Sequence, residues 1–311
     1  MTEKIQTSPD YGNRLGHWFF YILLRLFGPT PAYWLLAFVV PWYVFLLRKP
    51  RQQAAWYLKM RFFGERPIKR LWRTYIYIFR FGQTLIDQAA MGILGRDKFT
   101  INFPGWQDLY ALSEKANGMV LLTSHVGYWK TAMSVVDDLA VPVNFLIHLE
   151  EHMEGRHFFD LAGNRKKIKV IDPTGFMGGL VEATEVLETG ECVSIMGDRA
   201  FGARTIPFDF LGEPAHFPLT PYHLVTATDS ELVLLLTVRT GKLAFNIDFF
   251  YLSEDEKWKS MPRKEAQKEL LKRYVVELEK YTKQHPYMWF NFFNFWKKAE
   301  HATEGTEEIN R

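Results

Sequence analysis

The chain has 311 residues, a formal net charge of +3 and a single cysteine, Cys192. Its length allows a substantial core in one large or two modest domains. The small net charge gives no overall signature of nucleic-acid binding. One cysteine excludes an internal disulfide and a multi-cysteine metal site, and it suits a reducing cytoplasmic compartment. Aromatic residues make up 16% of the chain, an excess common in proteins that contact a bilayer interface.

The N-terminal region is predicted to attach to a membrane. Residues 28–47 carry no charged side chain, and about twenty apolar residues suffice to cross a bilayer as a helix. Residues 15–27 are also largely apolar, and Pro41 would kink the longer segment. The two stretches therefore predict either one membrane helix or a hairpin.

A basic stretch follows this apolar region. Residues 48–73 hold nine lysines and arginines and one acidic residue, Glu65. Positive charge beside an apolar segment marks the cytoplasmic side of a membrane and attracts anionic lipid headgroups. We therefore expect residues 1–75 to form a membrane anchor with a basic juxtamembrane part, facing an anionic membrane surface.

The rest of the chain has an alternating pattern. Short apolar runs alternate with stretches of helical periodicity, which predicts a layered α/β domain with a largely parallel sheet over residues 76–298. The acidic, polar residues 299–311 are predicted to be disordered. The predicted strands are 119–124, 143–148, 168–171, 192–197, 232–238 and 243–250, and the predicted helices are 128–138, 176–188, 221–228 and 263–283.

His125 directly follows the first of these apolar runs. A histidine at the carboxyl edge of a strand lies where α/β sheets place their chemistry, and imidazole is suited to general-base work near neutral pH. The alternative is a core or loop histidine with a satisfied hydrogen bond.

Three further residues are candidates for the same edge. Asp198 and Arg199 follow the predicted strand 192–197, where an arginine can bind a phosphate or a carboxylate. The alternative is a turn with a structural Asp–Arg pair. Residues 208–218 read as a hairpin whose apolar side chains, among them Phe217, could shape an acyl pocket.

Two other motifs are candidates for cofactor binding. Residues 148–152 fit the H-x-x-E-H pattern of some zinc proteases. That pattern needs both histidines on a helix, and His148 ends a predicted strand, so a polar loop is favoured. The glycine-rich residues 175–179 lack the lysine and hydroxyl of a phosphate loop. We expect neither a metal nor an organic cofactor.

Four segments together resemble one family. Residues 125–129 (HVGYW) are similar to the first block of the lysophospholipid acyltransferase superfamily, closest to the late (lauroyl and myristoyl) acyltransferases of lipid A biosynthesis. Residues 197–202 (GDRAFG) resemble the second block, residues 210–221 the third, and residues 286–296 (PYMWFNFFNFW) the C-terminal signature. The segments follow in the family's order over nearly the whole chain.

The resemblance implies an acyltransferase at the cytoplasmic face of a bacterial inner membrane. An acyl chain would move from acyl carrier protein, or less commonly from coenzyme A, to a hydroxyl or amine of a membrane lipid. His125 would be the general base, with Asp198 as a second catalytic residue. Arg199, Gly127 and Phe217 would contact substrate, and Asp198 and Arg199 would also help to bind the polar substrate or the developing oxyanion.

Two positions depart from the family pattern. Lys130 stands where the family has a carboxylate that orients the histidine, and lysine cannot accept the imidazole N–H. Three interpretations follow: another acid such as Asp198 is the partner of His125, transfer continues at a reduced rate, or the protein is a lipid-binding relative without activity. Tyr128 replaces the family's asparagine, which predicts altered acceptor recognition.

Overall fold

The computed structural model describes residues 14–147, 168–172, 176–199 and 204–296. Four helices come first: α1 (Arg14–Phe27), α2 (Pro29–Phe45), α3 (Arg48–Arg61) and α4 (Pro67–Leu94). Helices α2 and α4 each begin with a proline, which suits a first helical position that needs no N–H partner. Helix α4 runs without a break through residue 75, where the sequence places the end of the anchor region. That division into regions stays a prediction.

The apolar segment of the N-terminus is distributed over two helices. Within the part of the chain that the structure describes, no single helix has the length and apolar character needed to cross a membrane. Helices α2 and α3 meet that requirement only as a pair, and they are bent by 90° relative to each other. A membrane anchor in this region therefore remains a prediction.

In the described residues, a seven-stranded sheet forms the centre of the molecule. Its strands are β1 (Thr100–Asn102), β2 (Met119–Thr123), β3 (Val143–Leu146), β4 (Ile168–Ile171), β5 (Cys192–Met196), β8 (Glu231–Gly241) and β9 (Ala244–Tyr251). The strand order is β1-β9-β8-β2-β5-β3-β4, and strands β2, β3, β4, β5 and β8 run parallel to one another. The prediction of a largely parallel α/β sheet is confirmed.

One edge of the sheet differs from the all-parallel pattern. Strand β9 pairs antiparallel with β8, because the two residues between them can only form a tight hairpin and not a crossover. Strand β1, which the apolar pattern missed because it has only three residues, then pairs parallel with β9. A separate antiparallel hairpin consists of β6 (Thr205–Phe210) and β7 (Glu213–Pro218), as predicted for this segment.

Helices cover both faces of the sheet. Strand β2 is buried along its whole length, with Val120 and Leu122 in one core and Met119 and Leu121 in the other. Alternate side chains of a strand point to opposite faces, so two cores imply three layers. The covering helices are α5 (Trp106–Lys115), α6 (Trp129–Val135), α7 (Leu180–Glu188), α8 (Thr220–Thr228) and α9 (Arg263–Gln284).

Helix α9 has its buried residues at the apolar positions predicted from the sequence. The side chains at its predicted apolar positions are buried against the sheet, and charged residues lie between them. This is the pattern of an amphipathic helix that covers a core. The buried residues at those positions are Leu270, Leu271, Tyr274, Val275, Leu278 and Tyr281.

Candidate active site

The register of two neighbouring strands brings His125 and Asp198 together. Strands β2 and β5 are parallel, and Thr123 pairs with Met196 at their carboxyl ends. The backbone N–H of Gly197 continues the ladder by donating to the carbonyl of Thr123 (2.9 Å). His125 and Asp198 each lie two residues beyond this last pair. The two residues therefore lie side by side at the carboxyl edge of the sheet.

Asp198 binds His125 through both carboxylate oxygens. The imidazole Nδ1 lies 2.9 Å from Oδ1, and the backbone N–H of His125 donates to Oδ2 over 2.8 Å. Asp198 is 2% exposed, whereas His125 is 17% exposed. An ionised carboxylate only accepts hydrogen bonds, so Nδ1 carries the proton in this contact and Nε2 keeps its lone pair. That is the tautomer a general base needs.

The environment of Asp198 keeps it ionised. Burial alone would raise its pKa, but His125, the charge of Arg199 and the Trp289 indole N–H outweigh burial and hold the pKa below its usual value. The indole Nε1 donates to Oδ2 over 2.9 Å. Hydrogen bonds to the charged form of an acid favour that form. The carboxylate is therefore present at neutral pH to orient the imidazole.

The C-terminal segment closes over the loop that carries His125. The N–H of Phe290 donates to the carbonyl of His125 (2.7 Å), and the N–H of Gly127 donates to the carbonyl of Met288 (2.6 Å). Trp289, between them, forms a bridge with Val126 and is 1% exposed. Trp289 is a site residue that the sequence analysis did not single out, although it lies in the aromatic C-terminal segment 286–296.

Gly127 has a backbone role in this loop. Its φ is +54°, and a Cβ atom added to it would lie 2.0 Å from the carbonyl oxygen of Thr237. The adjacent N–H of Tyr128 donates to the same oxygen (3.1 Å). Only glycine permits this close approach between the loop and β8. Direct contact of Gly127 with substrate stays a prediction.

Arg199 lies next to the pair on the same strand edge. Its guanidinium is 5.6 Å from the centre of the Phe293 ring, and the side chain is partly buried. Burial lowers the pKa of Arg199, and Asp198 opposes that effect. A guanidinium remains a cation in this setting, because its intrinsic pKa lies far above neutral pH.

Phe217 is placed beneath the site and not at its surface. The ring is fully buried and packs edge-on against Phe295 (5.0 Å) and Tyr274 (6.1 Å). Such edge-to-face contacts are typical of an aromatic core. Contact of Phe217 with substrate stays a prediction.

The two departures from the family pattern have structural consequences. Lys130 lies in the first turn of α6, with its ammonium 5.6 Å from the centre of the Trp129 ring. The acid that bonds to His125 comes from β5 instead. Tyr128 is 1% exposed, and its hydroxyl donates to Asp87 on α4 (2.8 Å), so this side chain points into the protein. Altered acceptor recognition stays a prediction.

The two remaining motifs lie wholly or partly outside the described structure. The H-x-x-E-H segment at 148–152 is outside it, as is residue 175 of the glycine-rich segment at 175–179. Among the residues that the structure describes, no group of three or more histidine, cysteine, aspartate or glutamate side chains could hold a metal ion.

A histidine–carboxylate pair at the carboxyl edge of an α/β sheet is an arrangement that can support general-base chemistry. The chain belongs to the bacterial lipid A biosynthesis acyltransferase family, because the model of that family matches residues 4–298. It is therefore an acyltransferase, and the family acts on acceptors of the lipid A type. No curated protein matches the chain. The family resemblance of the four sequence segments is confirmed.

Proposed function

We propose that this acyltransferase moves a fatty acyl chain from a thioester of acyl carrier protein to a hydroxyl or amine of a lipid acceptor, with His125 as general base. The observation that carries the proposal is the bond from His125 Nδ1 to the ionised carboxylate of Asp198. It supplies the orienting acid that position 130 lacks, and so it supports catalysis over a lipid-binding role without activity.

The reaction follows from this geometry. Nε2 of His125 takes the proton of the acceptor group as its oxygen or nitrogen attacks the thioester carbonyl carbon. The new C–O or C–N bond forms a tetrahedral intermediate. When the intermediate collapses, the C–S bond breaks, and the imidazolium returns the proton to the leaving thiolate. Asp198 stabilises the imidazolium between these two steps, as the acid does in a serine hydrolase triad.

Arg199 is the cation best placed to assist. It follows Asp198 on the same strand edge, and its guanidinium has five N–H donors. Some of them can bind a polar substrate group or the oxyanion that develops on the thioester carbonyl. Phe293 lies near the guanidinium, with 5.6 Å between the guanidinium carbon and the centre of the ring.

Helix α2 supports contact with a membrane. Its outward side chains Trp34, Phe38 and Trp42 are 69%, 79% and 62% exposed, and their spacing of four residues places them on one stripe. The opposite face packs against the protein through Ala32, Val40 and Val44. An exposed apolar patch marks a surface that contacts a membrane or another protein, and the basic residues that follow it favour an anionic membrane. We propose that the stripe enters the cytoplasmic leaflet, where α3 brings Arg48 and Lys49 to anionic headgroups.

Label transfer tests the proposed reaction. Detergent-purified protein is mixed with long-chain acyl carrier protein labelled in the acyl group and with lipid extracted from its host. Parallel reactions contain the same acyl chain on coenzyme A. We expect label in one lipid class, more of it from acyl carrier protein, and mass spectrometry of that lipid identifies the acceptor.

Two variants make the result specific. His125→Ala should abolish transfer, whereas His223→Ala, which removes an exposed histidine on α8, should leave it unchanged. Equal transfer by wild type and His125→Ala would refute the role of His125. Transfer from coenzyme A alone would overturn the choice of donor.

A further inference from the structure

A carboxylate that takes no part in the reaction is buried between the N-terminal helices and the sheet. Asp87 on α4 is fully buried. Its Oδ2 accepts the hydroxyl of Tyr128 (2.8 Å) and forms an ion pair with Nε of Arg239 on β8 (3.2 Å). Its Oδ1 accepts the hydroxyl of Tyr33 on α2. One carboxylate thus connects α2, α4, β8 and the loop of His125.

This cluster is joined to the sheet through β8. The guanidinium of Arg239 also lies 5.2 Å from the centre of the Tyr33 ring. Thr237, two residues before Arg239 on β8, accepts the backbone N–H of Tyr128 and lies against Gly127. Tyr128 is therefore held at its backbone by β8 and at its hydroxyl by Asp87. His125 lies three residues earlier in the same short loop.

Stability alone does not explain such a carboxylate. Burial raises the pKa of Asp87 against the opposing effects of Tyr33, Arg239 and Tyr128. A buried ion pair generally contributes no more stability than apolar side chains of the same volume. What the cluster provides is a defined geometry, because two hydroxyl donors and one ion-pair partner fit around one carboxylate in only a few arrangements. On α2, Tyr33 precedes Trp34, the first residue of the exposed apolar stripe.

We propose that Asp87 is a positioning residue that holds the His125 loop through Tyr128 and links it to the apolar helix α2 through Tyr33. The inference rests on the proposed function, since the loop it positions is the one that carries the general base. A displaced Tyr128 would tilt the loop and move Nε2 of His125 away from the acceptor, with no direct contact between Asp87 and substrate.

The test compares three variants that each remove part of the cluster: Tyr128→Phe, Asp87→Asn and Tyr33→Phe. We expect Tyr128→Phe to lower kcat by about 10²-fold, the usual effect of a misplacement of about 1 Å, with KM for the acyl donor unchanged. Because all three act through one carboxylate, Tyr128→Phe should add little to the loss caused by Asp87→Asn. Tyr33→Phe should also lower kcat.

The matched control is Tyr281→Phe. Tyr281 is 3% exposed, and its hydroxyl also donates to a carboxylate, that of Asp248 on β9 (2.6 Å). It should lose thermal stability much as Tyr128→Phe does, but keep the wild-type kcat. A loss of stability with an unchanged kcat in Tyr128→Phe would overturn the proposal. An unchanged kcat in Tyr33→Phe would overturn the link to α2.

A second readout does not depend on transfer. The ring signals of isotope-labelled histidine are recorded by NMR, and His125→Ala assigns the signal of His125. That signal should move in Tyr128→Phe and stay in place in Tyr281→Phe. If wild type transfers no label, the proposed function fails, but the position of this signal still decides whether the cluster holds the loop. An unmoved signal in Tyr128→Phe would contradict it.

Discussion

A single carboxylate, that of Asp198, accepts hydrogen bonds from both the imidazole and the backbone N–H of His125. The first bond sets the tautomer and orientation of the ring, and the second fixes the backbone that carries it. The two residues are separated by 73 positions in the chain. The acid partner of His125 therefore comes from the neighbouring strand and not from the helix that follows the histidine.

Loss of the carboxylate should affect catalysis far more than folding. In Asp198→Asn the side chain keeps its size but no longer accepts Nδ1–H as an anion does, so the imidazole loses its favoured tautomer. We expect kcat to fall by up to about 10⁴-fold, as in other histidine–acid pairs. Single-turnover transfer measures the effect, with Asp209→Asn, an exposed residue of β6, as the control. A rate near that of wild type would contradict the pairing.

The same carboxylate should leave a mark on acid stability. The pKa of Asp198 is lowered in the folded protein, so its bonds contribute stability above the unfolded pKa of about 3.9. That contribution is lost as pH falls through the lower folded value. The difference in unfolding free energy between wild type and Asp198→Asn should shrink as pH falls below about 4. Denaturant titrations at several pH values between about 2 and 5 measure it; a difference that stays constant over that range would count against this assignment.

Restoring the family's acid at position 130 should bring no gain. Because Asp198 already occupies Nδ1, the glutamate of Lys130→Glu has no vacant imidazole N–H to accept. We expect kcat to stay near wild type or to fall, and Lys130→Glu should not rescue Asp198→Asn. Lys130→Gln, which removes the charge without adding an acid, is the control. A clear rise in kcat for Lys130→Glu alone would show that the Asp198 pairing is not the productive one.

Gly127→Ala should destabilise the protein through the close contact with β8. The added Cβ would overlap the carbonyl oxygen of Thr237, in addition to the backbone strain at positive φ, which alone costs about 1–3 kcal/mol. Gly64→Ala separates the two effects, since Gly64 also has positive φ but nothing within 4 Å of an added Cβ. Denaturant unfolding should show a clearly larger loss for Gly127→Ala. Equal losses would mean that the loop can move away from β8.

The exposed stripe of α2 should bind lipid vesicles. Burial of a phenylalanine side chain contributes roughly 1.5–3 kcal/mol, so Phe38→Ser should weaken vesicle binding by about tenfold or more. Val276→Ser on α9, which is also an exposed apolar residue, should not change it. Flotation with vesicles that contain anionic lipid gives the bound fraction. Unchanged binding of Phe38→Ser would place the membrane contact elsewhere.

Local patterns were sufficient for most of the sheet and for one side of the site. The apolar runs located β2 and β5, and the residues that follow these runs are His125, Asp198 and Arg199. The periodicity of α9 identified its buried face. These features depend on residues close together in the chain, so they can be predicted from the local sequence.

Other features depend on pairings between distant segments, which become visible only in the folded chain. The strand order places β5 beside β2 and thereby selects Asp198 as the partner of His125, one of three open interpretations of Lys130. Two further contacts also depend on distant pairings. The indole of Trp289 bonds a carboxylate 91 residues earlier in the chain, and the hydroxyl of Tyr128 bonds Asp87. Periodicity shows which face of an element is apolar, but it carries no information on which elements are neighbours. The choice of neighbouring elements is set by the register and packing of the complete fold.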